Sequence, residues 1–176
     1  VESALGEPGG FGMSSSLSEF FLSASELSAN ANDSILRTGF LESARSLADG
    51  FRSTLSSLEG LRGDSARQAD LTTTEINLLT ERVANLNHEI RNQEAGGGPA
   101  NSLRDDRDQV LRELSKLVDI SYSEAGDGTV SVQTSGRLLV GQGGAVEMST
   151  QLAADGSVEV LLGGSSEQLD VAGGKL

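Results

Sequence analysis

The chain has 176 residues, of which 22 are Gly, one is His and none is Cys or Trp; 13 Lys and Arg against 26 Asp and Glu leave a net charge of -13. Without Cys there is no disulfide framework, thiolate zinc site or cysteine nucleophile, and one His cannot build a histidine metal cluster. So acidic a chain with so few aromatics does not suit nucleic acid, because phosphate binding needs clustered Lys and Arg, and with no apolar run of about 18 residues no membrane span is expected.

Residues 1–13 are rich in Gly and read as a loop or linker. Ser16 and Glu19 fit a capping box. Leu17, Phe20, Phe21, Ala24 and Leu27 follow at helical spacing, which predicts a short amphipathic helix over about 16–28. Asn30, Asn32 and Asp33 interrupt it, and Asp33 can cap the next helix. From Ser34 to Glu94 there is no Pro. Leu36, Phe40, Ala44, Leu47, Phe51, Leu55 and Leu58 step by three or four. Ile76, Leu79, Val83, Leu86 and Ile90 step strictly 3-4-3-4, a coiled-coil-like seam. Leu61, Ser65, Ala69 and Thr72 keep the phase between them with little apolar bulk. Gly60 and Gly63 each cost about 1 kcal/mol relative to Ala inside a helix. The phase survives both, so one helix over 34–94 is favoured, about 90 Å long.

Gly96-Gly97-Gly98-Pro99 ends that helix. Asn101 or Ser102 can cap the next, over 101–117, with Asp105 and Asp106 in its first turn and Lys116 in its last, as the helix dipole favours. Leu103, Val110, Leu114 and Leu117 form its apolar stripe. Arg104/Asp108 and Asp108/Arg112 are i,i+4 pairs. At Val118 the period changes to 2: Val118, Ile120 and Tyr122 alternate with polar residues, Ala125 to Gly128 turn the chain, and Val130 and Val132 return. Further short strands are expected at 137–140, 145–149, 157–162 and 167–171. The fold class is therefore α+β: an elongated helical bundle over 1–117 with one long helix, then a small antiparallel β-rich domain over 118–176.

The short helices over 16–28 and 101–117 together span about half the length of the long one. About half of its seam then has no partner in this sequence, and an exposed apolar stripe of that length implies one. That partner is either a segment outside this sequence or a neighbouring subunit. The seam residues singled out are Leu47, Phe51, Leu55, Leu58, Ile76, Leu79, Val83, Leu86, Ile90, Leu103, Val110 and Leu114.

The motifs tested for chemistry fail one by one. His88-Glu89 opens like a zincin motif, but position 92 is Asn. Gly63-Asp64-Ser65 resembles an esterase nucleophile block, yet it falls in a helical pattern. Asp105, Asp106 and Asp108 point in different directions on a helix. Gly141-Gln142-Gly143-Gly144 lacks the Lys and the strand–loop–helix setting of a phosphate loop. Asn32-Asp33-Ser34 fits a glycosylation sequon, but a helix cap explains it. No catalytic constellation, metal site or cofactor site results.

One segment is more specific. Pro99 to Asp119, with Asn101, Leu103, Asp105, Arg107, Asp108 and Leu114, resembles the flagellar hook-associated protein 1 family. That family has a Pro-Asn-Asp-Leu-Leu-Asp-Gln-Arg-Asp-like run followed by a Leu-Ser-Lys-Leu-Val-like run. Gly126-Asp127-Gly128-Thr129-Val130 is similar to its Gly-Gly-Thr hairpin. Leu17 to Phe21, Ile76 to Asn87 and Gly173 to Leu176 resemble further parts. Ala100, Ser102 and Arg104 depart from the pattern.

The resemblance implies a non-enzymatic structural protein, exported by the flagellar type III system to the extracellular hook–filament junction. Its implied partners are the hook protein, hook-associated protein 3, neighbouring copies of itself and an export chaperone, with no nucleic acid and no membrane. It also implies that terminal helical segments lie outside this sequence, so that the piece alone is expected to be monomeric or weakly associating. The competing reading is an extracytoplasmic helical sensor or ligand-binding domain, which would need a polar pocket; the sequence shows no aromatic or Arg cluster suited to one.

Overall fold

The computed structural model describes residues 12–164 and Leu169. Three helices come first: α1 (Met13–Ala29), α2 (Ser34–Ala95) and α3 (Asn101–Leu117). Six strands follow: β1 (Ser121–Glu124), β2 (Val130–Thr134), β3 (Arg137–Gly141), β4 (Gly144–Ala145), β5 (Met148–Leu152) and β6 (Val158–Leu162). This is the α+β order expected, with α2 helical through Gly60 and Gly63. The expected strand at 167–171 lies outside the described residues, except for Leu169. The chain divides into two compact units, Val1–Gly63 and Asp64–Leu176. The division falls inside α2 rather than at residue 118, because α3 and the strands share one core.

In the first unit α1 packs antiparallel on the start of α2. The Phe20 and Phe40 rings meet at a tilt, with centroids 5.3 Å apart, and the Ser23 and Ser43 hydroxyls meet at 2.6 Å. Asp33 caps α2, its Oδ1 accepting the Ile35 and Leu36 amides at 2.8 and 3.3 Å. The expected capping box at Ser16 does not form. The helix starts a turn earlier, at Met13 after Gly12, with no side-chain cap. Over the first two turns serine hydroxyls bond back to carbonyls instead, Ser15 to Gly12 and Ser18 to Ser14. No residue of α1 is fully buried.

The second unit holds the hydrophobic core. Ile76, Val83 and Leu86 of α2 and Val110, Leu111, Leu114 and Leu117 of α3 pack with Val130, Val132, Leu139, Val140, Met148 and Val160 from the strands. Four strands form an antiparallel sheet in the order β1-β2-β3-β4, and β5 pairs with β6 in a separate two-stranded sheet. A register shift between Val132 and Gln133 interrupts the β2–β3 ladder. The single strand expected at 145–149 is split: Val146 and Glu147 pass from β4 to β5, and so from one sheet to the other. Val118 ends α3 and is buried, but Tyr122 of β1 is exposed, contrary to the expected alternation. β1 is an edge strand, exposed at all four residues.

The start of α3 also differs. Ala100, not Asn101 or Ser102, is its N-cap, and neither side chain caps it. Asp105 and Asp106 therefore lie in the second turn. The acidic group beside the first turn comes from another helix: Glu94 of α2 binds Arg104.

Candidate functional site

Two features stand out: a polar centre inside the second unit and an exposed apolar face on the first. Arg107 forms the polar centre. It occupies the apolar stripe of α3 between Leu103 and Val110, and folding leaves it only 2% exposed. Its Nη1 donates to the Gly128 carbonyl at 2.6 Å and to Asn87 Oδ1 at 3.1 Å. Glu124 of β1 lies 3.7 Å from its Nη2. Burial pushes the Arg107 guanidinium below its ordinary value, and the Glu124 charge opposes that shift. Its Nε is buried without a hydrogen-bond partner.

Arg104 sits one turn earlier and does not pair with Asp108. Its Nε and Nη2 fork onto Glu94 at 2.9 Å each, and its Nη1 reaches Glu124. The fork wins because it is bidentate and joins two elements, whereas an i,i+4 pair on one helix contributes only tenths of a kcal/mol. The Arg104 hydrogen bond holds the Glu94 carboxyl below the usual range, and Glu94 in turn raises Arg104.

The β1–β2 turn completes the arrangement. Gly128 has a φ of 78° and closes the turn through its amide to the Ala125 carbonyl at 3.0 Å. A Cβ there would sit 2.7 Å from both Arg104 Nη2 and Glu94 Oε2 and 3.2 Å from Ile90 Cγ2. Asp127 accepts the Thr129 hydroxyl at 2.7 Å and its amide at 3.1 Å, and the Thr129 hydroxyl is the main cause of its lowered pKa. Asn87 of α2 holds both backbone groups of Val130, at 2.8 and 3.0 Å. One cluster thus fastens α2, α3 and the β1–β2 hairpin together. Its contacts bind and orient these three elements.

The residues singled out in the sequence divide by unit. Ile76, Val83, Leu86, Ile90, Val110 and Leu114 are buried, and Leu79 and Leu103 are half-buried. In the first unit Leu47 and Leu58 are half-buried, while Phe51 is 54% and Leu55 58% exposed. Met13, the first residue of α1, approaches α2 at Gly50, so Phe51 and Leu55 lie beyond the end of that helix. Leu41 is 52% exposed. Leu41, Ala44, Ala48, Phe51 and Leu55 repeat 3-4-3-4, a coiled-coil spacing with two small residues that admit a close neighbour. Asn101, Asp105 and Asp108 are exposed. Sequence reasoning missed Asn77 and Asn87 as structural residues, although Asn87 sits on the stripe of Ile76, Val83 and Ile90.

A groove of about 400 Å³ lies between α2 and the β4–β5 link, lined by Glu81, His88 and Glu147 among others. His88 Nδ1 contacts Arg91 Nη2 at 2.7 Å, and among the described residues lining the groove Thr80 carries the one hydroxyl and there is no Ser, Cys or Lys. Among the described residues no group of three or more His, Cys, Asp or Glu is placed to hold a metal ion, and no helix is long and apolar enough to cross a membrane.

A family model for the flagellar hook-associated protein FlgK helical domain matches residues 1–176. The chain belongs to this family. Flagellar hook-associated protein 1 of Bacillus subtilis (strain 168) is 30% identical over 142 residues, 76% of this chain and 28% of that protein. The protein of the same name from Salmonella typhimurium is 31% identical over 148 residues, 81% of this chain and 26% of that protein. The structure of the flagellar hook junction protein FlgK from Burkholderia pseudomallei superposes with a TM-score of 0.75 at 23% identity, over 90% of this chain and 29% of that one. That likeness concerns the fold. The chain spans little more than a quarter of the relatives it matches. In this member of the family, α3 (Asn101–Leu117) contributes Arg104 and Arg107 to the polar cluster.

Proposed function

We propose that this chain is part of a structural subunit that joins the hook of the bacterial flagellum to its filament, without catalysis. The observation that carries the reading is the pairing of family membership with an exposed 3-4-3-4 face on α2. A helix face of this kind gains free energy only when another helix covers it. Segments of the full protein outside this sequence cover part of it, and neighbouring copies cover the rest. The relatives' length leaves ample chain for this. The partners on this reading are the hook protein, hook-associated protein 3, neighbouring copies and, before assembly, an export chaperone. The site of action is extracellular, reached through the flagellar type III system. These 176 residues hold no Cys, so this part of the subunit needs no oxidative step after such export.

Deletion of the gene in the source bacterium tests the reading. Cells should keep their hooks, lose their filaments and release unassembled flagellin, and a plasmid copy should restore filaments. Normal filaments in the deletion strain would rule the reading out.

A further inference from the structure

Asn77 and Asn87 lie on α2 about three turns apart. Each meets a strand in the same way. Asn77 Nδ2 donates to the Met148 carbonyl and its Oδ1 accepts the Met148 amide, both at 2.8 Å. Asn87 does the same with Val130, at 2.8 and 3.0 Å. A residue in an antiparallel pair exchanges these same two bonds with its partner strand. Each side-chain amide therefore stands where a neighbouring strand would be. Met148 opens β5 and Val130 opens β2, so each bracket holds the first residue of its strand.

We propose that Asn77 and Asn87 are two independent brackets that let the two sheets release from α2 separately, the β5–β6 sheet first. The order follows from what backs each bracket. Arg107 Nη1 donates to Asn87 Oδ1 at 3.1 Å, which fixes the orientation of that amide. The same Nη1 binds the Gly128 carbonyl, so the Asn87 bracket is tied to α3 and to the β1–β2 turn at once. The Asn77 amide bonds only to Met148 among the described residues. Asn87 is buried and Asn77 half-buried, so water reaches the second bracket more easily. Among the described residues the other polar tie from β5 to α2 is the Thr150 hydroxyl donating to Asp70 at 3.2 Å, an exposed bond. Unpaired strand edges invite pairing with other chains. At Met148 the bracket closes such an edge, and at Val130 it covers backbone groups past the end of the β2–β3 ladder, which pairs Val132 to Thr134; releasing either exposes them.

Amide hydrogen exchange followed residue by residue by NMR tests the proposal. In the unaltered protein Met148 should exchange at least about tenfold faster than Val130. Asn77→Ala should speed exchange at Met148 and along β5–β6 by about tenfold and leave Val130 unchanged. Asn87→Ala should do the reverse. Asn77→Asp and Asn87→Asp keep the acceptor and lose the donor, so their target amides should exchange more slowly than in the Ala variants. Equal acceleration at both sites in either Ala variant would overturn independence. So would global unfolding of either variant. Faster exchange at Val130 than at Met148 in the unaltered protein would overturn the order.

Discussion

Replacing Arg107 with Ala is a direct probe of the polar cluster. The change removes the donor to the Gly128 carbonyl and one of the donors to Asn87 Oδ1. Gly128 is buried, so its carbonyl is left without a partner, a cost of about 1–3 kcal/mol. Asn87 Oδ1 loses less, because it keeps the Val130 amide at 3.0 Å. Removing the side chain also leaves a void. Its walls are polar, and water entering it offsets part of the loss. A gain opposes these costs: the buried guanidinium and its unpartnered Nε disappear. Truncating one member of a buried charged network typically costs about 3–5 kcal/mol, and the offsets here bring the expected loss to about 2–4 kcal/mol. For a chain of this length the melting temperature should fall by about 5–15 °C. Thermal and urea unfolding followed by circular dichroism measure it. Arg107→Lys keeps the charge without the planar fork and should fall between the two. A melting temperature within about 1 °C of the unaltered protein in Arg107→Ala would refute the reasoning, since that is well below the shift expected.

Other consequences follow from the same contacts. Gly128→Ala combines a positive φ with crowding against Ile90 and the Arg104–Glu94 pair, and should cost about 1–3 kcal/mol by urea unfolding. Leu114→Ala empties a fully buried position of α3 and should cost about 2–5 kcal/mol. Leu55→Ala, on the exposed face of α2, should stay within about 0.5 kcal/mol in the same assay. Acid should weaken the fold with a defined sign. Glu94 and Asp127 have folded pKa values below their ordinary ones. Their contribution is complete above the unfolded carboxylate values, and is lost as pH falls through the folded ones. The urea midpoint should therefore stay level from neutral pH to about pH 5 and fall below about pH 4. Glu94→Gln should flatten that fall, and a midpoint that rises on acidification would contradict the assignment.

What was legible in the sequence was periodic. α2 could be read through Gly60 and Gly63 because the three-four stepping kept its phase across them. The change to strands at residue 118 was equally plain, from the switch to period 2. The errors lie where one element supplies what another lacks. Local rules gave the cap of α3 to Asn101 or Ser102, and could not show that Glu94 of α2 stands at that helix end. Arg104 was paired with Asp108 on its own helix for the same reason, although its fork reaches α2 and β1. The boundary at 118 marked a change of secondary structure, and the core runs across it. A signal for the polar cluster was present. Arg107 lies on the apolar stripe of α3, and Asn87 on that of α2. A polar side chain on such a stripe must find partners when it is buried.

The central claim is that the exposed face of α2 in the first unit becomes an interface in the flagellum. These 176 residues hold no Cys, so in the isolated piece a single thiol placed at Leu55 reports on that face without background, and in flagella the label on this protein is read against flagella carrying the unaltered protein. Leu55→Cys should react readily with maleimide in the isolated protein, as its 58% exposure requires. In purified flagella assembled from the full-length protein carrying the same change, labelling should fall by about tenfold or more. Equal labelling in the isolated and assembled states would contradict the account.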